Sequence, residues 1–210
     1  HWMNKTVIYT SCEDTGYFYK SFIEDIVCYL EINGANVIPS YKLLRANNNK
    51  VFMELLRYSF GNVLSHGNVT KVYGSIEELK ERASTLSYPV VYKQAAGAQS
   101  TGVGMARNYK ELIHDVKKIA RTKNIFRELW EFGRSLKYPG YIAQSKFRNK
   151  FIIQNFIKNL NGDFKVLVFG YKFYVLKRDA KKNDFRASGS GIRNFIKEIP
   201  KGLLDFAYNC

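Results

Sequence analysis

The segment YPVVYK, residues 88–93, leads into the segment AGAQSTGVG, residues 96–104. The β-branched and aromatic residues of the first predict a strand ending in Lys93, and the glycines of the second predict a loop before another strand. Such a loop can hold a polyphosphate, because glycines let backbone N–H groups approach an anion while the ammonium supplies a point charge. The alternative is an ordinary hairpin, since the chain has no GxxxxGK[ST] run and no GxGxxG run followed by a helix.

The residues before this segment predict alternating strands and helices. Apolar residues recur at helical spacing from Phe18 to Leu30, and Gly34 stands where that helix would end. Together with strands at 6–10 and 37–39, this helix predicts a βαβ fragment. The other elements predicted here are a helix at 49–58, a strand at 69–73 and a helix to about Leu86 that Ser75 and Glu78 open as a capping box.

The residues after the glycine-rich segment predict a helix and then mostly strands. Asn108 and Glu111 give a second capping signal for a helix through Ile119. The aromatic and basic stretch 124–149 predicts only a helix around 126–132 followed by a loop. The remaining predictions are strands at 151–157, 164–169 and 172–178, a turn at 161–163, a surface loop at 179–191 and a last helix opened by Pro200.

The charge of the chain calls for an anionic partner. Its 210 residues carry 33 Lys and Arg against 18 Asp and Glu, a formal net charge of +15. A nucleotide, an acidic substrate, a membrane surface or a nucleic acid would each complement such an excess. With 46% hydrophobic residues, the chain has enough apolar side chains for a folded core.

Cysteine and histidine patterns give no metal site. The three cysteines and three histidines match neither a CxxC nor an HExxH spacing, and reduced thiols in a cytosol are the simpler interpretation. No run of about 18 apolar residues predicts a membrane span, and the first residues lack the apolar core of a secretory signal. We therefore expect a cytoplasmic protein whose native start is Met3.

Six short motifs, taken in order, resemble the ATP-grasp superfamily, and in particular its branch of glutamate ligases and glutathione-synthetase-like enzymes. They are Asn49-Lys50, the strand to Lys93, the glycine-rich loop, Gln154–Ile157, Asn161–Val166 and Asp184–Arg186. The resemblance implies a partial ATP-grasp fold of the α/β (α+β) class, with antiparallel sheets flanking a nucleotide cleft. Residues 1–48 would form an N-terminal pre-ATP-grasp βα segment, and residues 49–210 an ATP-grasp domain without its C-terminal metal-binding strands.

The resemblance implies a set of ATP-binding residues. Lys50 and Lys93 would contact phosphates, Gln154 to Ile157 would form the adenine hinge, and Asp163 would accept hydrogen bonds from the ribose hydroxyls. Without the resemblance, Lys50 would be an exposed helix residue, 154–157 a buried strand and Asp163 part of a turn. The full nucleotide-binding set is Lys50, Lys93, Gly97, Ser100, Gly102, Gln154, Asn155, Phe156, Ile157 and Asp163.

Arg178 and Arg186 match the basic residues that neutralise the reacting phosphate in this family, although a solvated basic face would explain such charges too. The chain departs from the pattern where Gln154 replaces an acidic residue and where 187–189 lack an asparagine. The family's Mg²⁺ ligands are expected beyond residue 210. We therefore expect the chain to bind nucleotide weakly and to turn over little or nothing by itself, whether it is a truncated form or a natural remnant.

The implied activity is a ligase that uses ATP and Mg²⁺ to join a carboxylate to an amine or another nucleophile through an acyl phosphate. The alternative is a non-catalytic basic module that binds nucleic acid or an acidic polymer through its charge and its 15 Tyr and 15 Phe. The aromatic residues alternate with apolar ones in strand patterns, which favours a core and disfavours nucleic-acid binding.

Overall fold

The computed structural model describes residues 2–10, 18–60, 69–97, 102–122, 124–180, 186, 193–196 and 198–208. Three sheets occur in these ranges, with two, four and three strands. Helices connect most strands of the first two sheets, the exception being two consecutive strands of the second, and the third is built from consecutive antiparallel strands. This mixed architecture confirms the predicted class.

The N-terminal sheet pairs β1 (Thr6–Ile8) with β2 (Asn36–Ile38) in parallel, and α1 (Phe18–Ile32) connects them. The helix ends as predicted at Gly34, whose positive φ of 80° is costly for other residues. One side of α1 buries Val27 and Leu30 against Val37 and against Leu44 of α2 (Tyr41–Ala46). The βαβ prediction is confirmed. Helix α2 was not predicted, because its six residues are too few to show the helical periodicity of apolar residues.

The central sheet has the order β3-β6-β4-β5, and every neighbouring pair is antiparallel. Its strands are β3 (Thr70–Tyr73), β4 (Val90–Gln94), β5 (Val103–Ala106) and β6 (Phe151–Asn155). The two strands predicted on either side of the glycine-rich segment are therefore confirmed, and they pair as neighbours. The end of β4 and the start of β5 lie together at one end of the sheet.

Helices flank both faces of this sheet. On one face α4 (Ile76–Arg82), continued by a 3₁₀ turn at Ala83–Thr85, and α5 (Tyr109–Ala120) bury the main core. On β6, Phe151 and Ile153 point into that core because successive residues of a strand alternate between faces. Burying each such side chain contributes roughly 1.5–3 kcal/mol. The other face, which carries Ile152 and Gln154, receives α3 (Lys50–Ser59).

Both predicted capping boxes form, but in each the Glu side chain accepts from the backbone N–H of the residue before the cap. Ser75 Oγ accepts from Glu78 N at 3.3 Å, but the Glu78 carboxylate accepts from Gly74 N at 2.6 Å and not from the cap residue itself. The Asn108 box shows the same pattern, since Glu111 accepts from Arg107 N at 2.8 Å.

The third sheet has the order β7-β8-β9, all antiparallel, with strands Gly162–Phe169, Lys172–Asp179 and Arg193–Phe195. Gly170 and Tyr171 make the predicted turn between β7 and β8, with Gly170 at a φ of 60°. The helix α7 (Leu203–Tyr208) follows. Strand β9 was not predicted, because three residues, Arg-Asn-Phe, are too few to show the alternation of apolar and polar residues that indicates a strand.

Between α5 and β6 lies α6 (Ile125–Lys137), longer than the predicted 126–132. The return loop 138–150 is tied to the end of α5, since Thr122 N donates to Lys146 O at 2.8 Å and Asn149 N to Ala120 O at 2.9 Å. Within the ranges that the structure describes, no helix has both the length and the apolar character needed to cross a membrane.

Candidate functional site

Lys93 lies near the end of β4, on the face of the central sheet that receives α3. Its cross-strand neighbours are Val103 and Ile152, and it interacts electrostatically with Glu54 of α3. Burial lowers the pKa of the Lys93 ammonium below its usual 10.5, and the nearby Glu54 carboxylate offsets part of that effect. The sheet therefore holds a partly desolvated cation at the entrance of the glycine-rich loop.

Lys50 reaches the same loop from the first residue of α3. Its backbone N–H donates to Ala95 O at 2.9 Å and its ammonium to Gly97 O at 2.9 Å. The preceding turn adds a third link, because Gly97 N donates to Asn48 Oδ1 at 2.8 Å. Lys50, on α3, thus contacts the segment that directly follows the strand of Lys93.

The glycines of this loop are required by geometry. Gly97 has a φ of 125° and Gly102 a φ of 67°, both in the region that side chains rarely adopt. A Cβ on Gly102 would lie 2.9 Å from atoms of the Gln94 side chain. The backbone N–H of Gln94 donates to Gly102 O, which holds the two residues at this distance. The predicted site residue Ser100 lies outside the described residues.

Glu54 is a functional candidate that sequence reasoning missed. It is buried, its Oε1 accepts from Gln154 Nε2 at 3.3 Å, and its Oε2 lies 2.6 Å from Arg57 Nη2. Gln154 Nε2 also donates to Thr70 Oγ1 at 2.9 Å. The signal available in sequence was the i, i+4 spacing of Lys50 and Glu54, which puts both on one side of α3.

The four residues predicted as an adenine hinge divide into two environments. The Gln154 side chain is buried and holds β6 to β3 and α3 through the contacts above. Asn155 and Ile157 are exposed and Phe156 is half-buried at the end of the strand. Asn155 N donates to Val69 O at 3.3 Å.

Asp163 and Arg178 are direct cross-strand neighbours on β7 and β8. Arg178 Nε donates to Asp163 Oδ1 at 2.6 Å and its Nη2 to Oδ2 at 2.5 Å, a bidentate pair of half-buried groups. The structure therefore joins a residue predicted for the ribose to one predicted for the phosphate. Arg186 is half-buried, and most of its neighbours in the chain lie outside the described residues.

A cavity of about 360 Å³ lies elsewhere, between α6 and its return loop. Its charged lining is largely paired internally: Glu128 contacts Lys146 at 3.3 Å, and Gln144 Oε1 accepts from Arg127 at 2.7 Å and from Arg148 at 2.5 Å. None of the predicted nucleotide-binding residues lines it. It is a feature of α6 and not of the cleft.

The described part of the chain contains no group of three or more His, Cys, Asp or Glu side chains placed to hold a metal ion. Cys28, a half-buried residue of α1, is a free thiol.

Comparison with known proteins identifies related chains at low identity. No family model matches the sequence. A formate-dependent phosphoribosylglycinamide formyltransferase from Wigglesworthia glossinidia brevipalpis is 29% identical over 89 residues, which is 42% of this chain and 22% of that protein.

Two solved structures match most of the chain. One is an ATP-grasp RimK domain protein from Sphaerobacter thermophilus, with a TM-score of 0.50 and 15% identity, covering 90% of this chain and 58% of that one. The other is the ADP complex of N5-carboxyaminoimidazole ribonucleotide synthetase, with a TM-score of 0.50 and 13% identity, covering 84% of this chain and 39% of that one. The chain thus spans less than two thirds of each of these proteins.

Proposed function

We propose that this chain, whose fold is the ATP-grasp fold, binds ATP and serves a ligase that joins a carboxylate to an amine or another nucleophile. The observation that carries the proposal is that Lys50 contacts Ala95 and Gly97, at the start of the glycine-rich loop, directly after the strand that holds the partly desolvated Lys93. A buried ammonium lowers stability relative to an apolar side chain, so its presence there favours a functional reason.

The phosphates would lie where Lys93, Lys50 and the glycine-rich loop meet. Lys50 places its ammonium at the start of the glycine-rich loop, where it donates to Gly97 O. Lys93 provides the charge, and Gly97, Ser100 and Gly102 provide backbone that an anion can approach closely. Glu54 keeps Lys93 charged in a desolvated place, which makes it a positioning residue.

The nucleoside would lie against the end of β6. Phe156 and Ile157 offer apolar walls to an adenine ring, and the backbone at Asn155 to Ile157 offers hydrogen-bonding groups to its edge. Gln154 fixes this strand end through Glu54 and Thr70. Asp163 accepts from the ribose hydroxyls.

The Asp163–Arg178 pair is compatible with both proposed roles. The guanidinium has five N–H donors, and the pair uses two of them. Each carboxylate oxygen likewise keeps a lone pair for a ribose hydroxyl. Arg178 and Arg186 neutralise the phosphate on the reacting side.

The proposed chemistry has two steps. A carboxylate oxygen of the substrate attacks the γ-phosphorus, ADP leaves, and an acyl phosphate forms. The amine then attacks the carbonyl carbon, the C–O bond to phosphate breaks, and phosphate leaves with one oxygen of the original carboxylate while the amine gives up a proton. The described residues do not offer a Mg²⁺ site, so no step is assigned to a metal here. The glutathione-synthetase-like branch, an anionic substrate and a cytoplasmic location remain parts of the proposal.

The test of the reaction is acyl-phosphate trapping. The protein is incubated with ATP, Mg²⁺, hydroxylamine and a panel of carboxylic acids, and ADP and hydroxamate are measured together. We expect little or no turnover by residues 1–210 alone. In a longer form that includes the Mg²⁺ ligands, we expect hydroxamate in proportion to ADP for at least one acid, and its loss in Arg186→Gln. ADP release that no carboxylate stimulates would contradict a ligase.

A further inference from the structure

Helix α6 is oriented opposite to the usual amphipathic helix of a globular protein. Its apolar residues Phe126, Leu129, Trp130 and Leu136 are 88%, 64%, 56% and 73% exposed. Its buried residue is Glu131. Surface helices normally turn the apolar stripe toward the core, so this exposed face needs a partner.

The acidic residues of α6 are turned inward and satisfied by the return loop. Glu131 Oε2 accepts from Tyr141 Oη at 2.6 Å and from Gln144 N at 3.2 Å. Glu128 pairs with Arg121 at 3.1 Å and with Lys146 at 3.3 Å. These contacts hold the polar side of the helix against the loop, and they leave no carboxylate of α6 on the exposed face.

Cations border the exposed face. The Arg134 guanidinium lies 4.6 Å from the ring centres of both Trp130 and Tyr141, and the Lys137 ammonium lies 5.5 Å from that of Tyr138. Residues 124–150 carry six Lys and Arg against two Glu. The face therefore combines apolar side chains, interfacial aromatic rings and a net positive rim.

We propose that the outer face of α6 docks onto an anionic phospholipid surface. Side chains such as Phe126 and Leu129 would enter the boundary between headgroups and acyl chains, while Arg134 and Lys137 meet lipid phosphates. The helix has 13 residues, about 20 Å at roughly 1.5 Å per residue, which is shorter than a hydrocarbon core of about 30 Å. It therefore lies in the plane of the surface and does not cross it.

Two other occupants fit the face less well. A second copy of the chain would bring two positive rims together. A nucleic acid would complement the charge, but Leu129, Leu136 and the 89% exposed Ile142 of the return loop offer aliphatic surface that bases do not stack on. Lipid complements both the charge and the apolar residues.

The test is co-sedimentation of the chain with vesicles of phosphatidylcholine containing phosphatidylglycerol, and with vesicles of phosphatidylcholine alone. We expect partition to the anionic vesicles and about tenfold or greater loss in Phe126→Ser/Leu129→Ser, because both removed side chains supply apolar contact. The matched control is Tyr171→Ser, which changes a 98% exposed aromatic residue at the β7–β8 turn and should leave partition unchanged. In a Trp2→Phe background, emission of Trp130 should shift to shorter wavelength on anionic vesicles.

Several results would overturn the proposal. These are no partition of the folded chain to anionic vesicles, equal partition of the wild type and the double variant, or an unshifted Trp130 emission. A concentration-dependent dimer by light scattering that the double variant abolishes would assign the face to a second copy. Binding to single-stranded DNA that the double variant abolishes would assign it to nucleic acid.

Discussion

At the scale of single residues, we expect Lys93 to lower the stability of the fold while it contributes to ATP binding. A partly desolvated ammonium lowers stability, and Glu54 offsets only part of that cost. We expect Lys93→Met to raise the unfolding free energy of the ligand-free protein by about 1 kcal/mol at pH 7, because an apolar side chain of similar length removes the cost.

The gain should depend on pH in a defined direction. Because burial lowers the pKa of Lys93 in the folded state, the unfolded chain binds more protons than the folded one between that pKa and 10.5. The wild type therefore gains stability relative to Lys93→Met as pH rises through this window, and the advantage of the variant shrinks. Urea unfolding of both proteins from pH 7 to 10.5 measures this. A difference that stays constant with pH would show that Lys93 is not desolvated.

The Asp163–Arg178 pair gives a second test at this scale. The pair is bidentate but half-exposed, so we expect a coupling energy of about 1 kcal/mol in a double-mutant cycle of Asp163→Asn and Arg178→Gln. Nucleotide binding adds a sharper readout. The wild type should bind ATP more tightly than 2′,3′-dideoxy-ATP, and Asp163→Asn should bind the two equally. An undiminished preference for ATP in the variant would remove Asp163 from the ribose site.

Sequence patterns predicted the local members of the candidate site and missed the long-range one. They predict roles for Asp163 and Arg178 separately, and the pairing of the two follows from the register that the Gly170-Tyr171 turn imposes. Glu54 could not be found in that way, because its contact with Gln154 depends on how α3 packs on the sheet. Periodicity does not determine such packing.

At the scale of elements, the turn into α3 fixes the loop. Asn48 has a φ of 54°, and its side chain accepts from Gly97 N. Asn tolerates this conformation better than Ala does, and Gly adopts it freely. The position therefore carries a backbone role and a hydrogen-bonding role that two substitutions can separate.

We expect Asn48→Gly to keep the stability of the wild type within about 0.5 kcal/mol and to weaken ATP binding several-fold, because the backbone strain is gone but Gly97 loses its acceptor. Asn48→Ala should weaken binding similarly and also lose about 1 kcal/mol of stability. Thermal unfolding and calorimetric titration of both variants measure this. Equal ATP affinity in all three proteins would mean that the Gly97 contact does not organise the phosphate site.

Elements with strong patterns were predicted and weak ones were not. The strand to Lys93 and the capped helix α5 have clear periodicity and near neighbours in sequence, and both are confirmed. The three residues of β9 become a strand only because β8 offers its free edge. In α6 the periodicity was present, but its apolar side faces outward, which no pattern of a single helix can reveal.

At the scale of the whole molecule, buried acids take part in internal pairs. Glu24 contacts Lys20 at 3.1 Å and Arg45 at 2.7 Å, Glu54 contacts Arg57, and Glu131 contacts Tyr141. Some of the 18 Asp and Glu residues are buried in these pairs, so the surface charge keeps a strong positive excess. Composition predicted an anionic partner, and we propose two regions for it, the glycine-rich loop beside Lys93 and the outer face of α6.

The proposal that Lys93 and the glycine-rich loop form an ATP site is tested most directly by calorimetric titration of ATP and Mg²⁺ into three proteins. These are the wild type, Lys93→Met and Lys172→Met, the last changing an exposed lysine of β8 as the matched control. We expect saturable binding in the wild type and in Lys172→Met, and none in Lys93→Met, whose unfolding should be no easier than that of the wild type. Absence of binding in all three proteins, or equal binding in all three, would contradict an ATP site at Lys93.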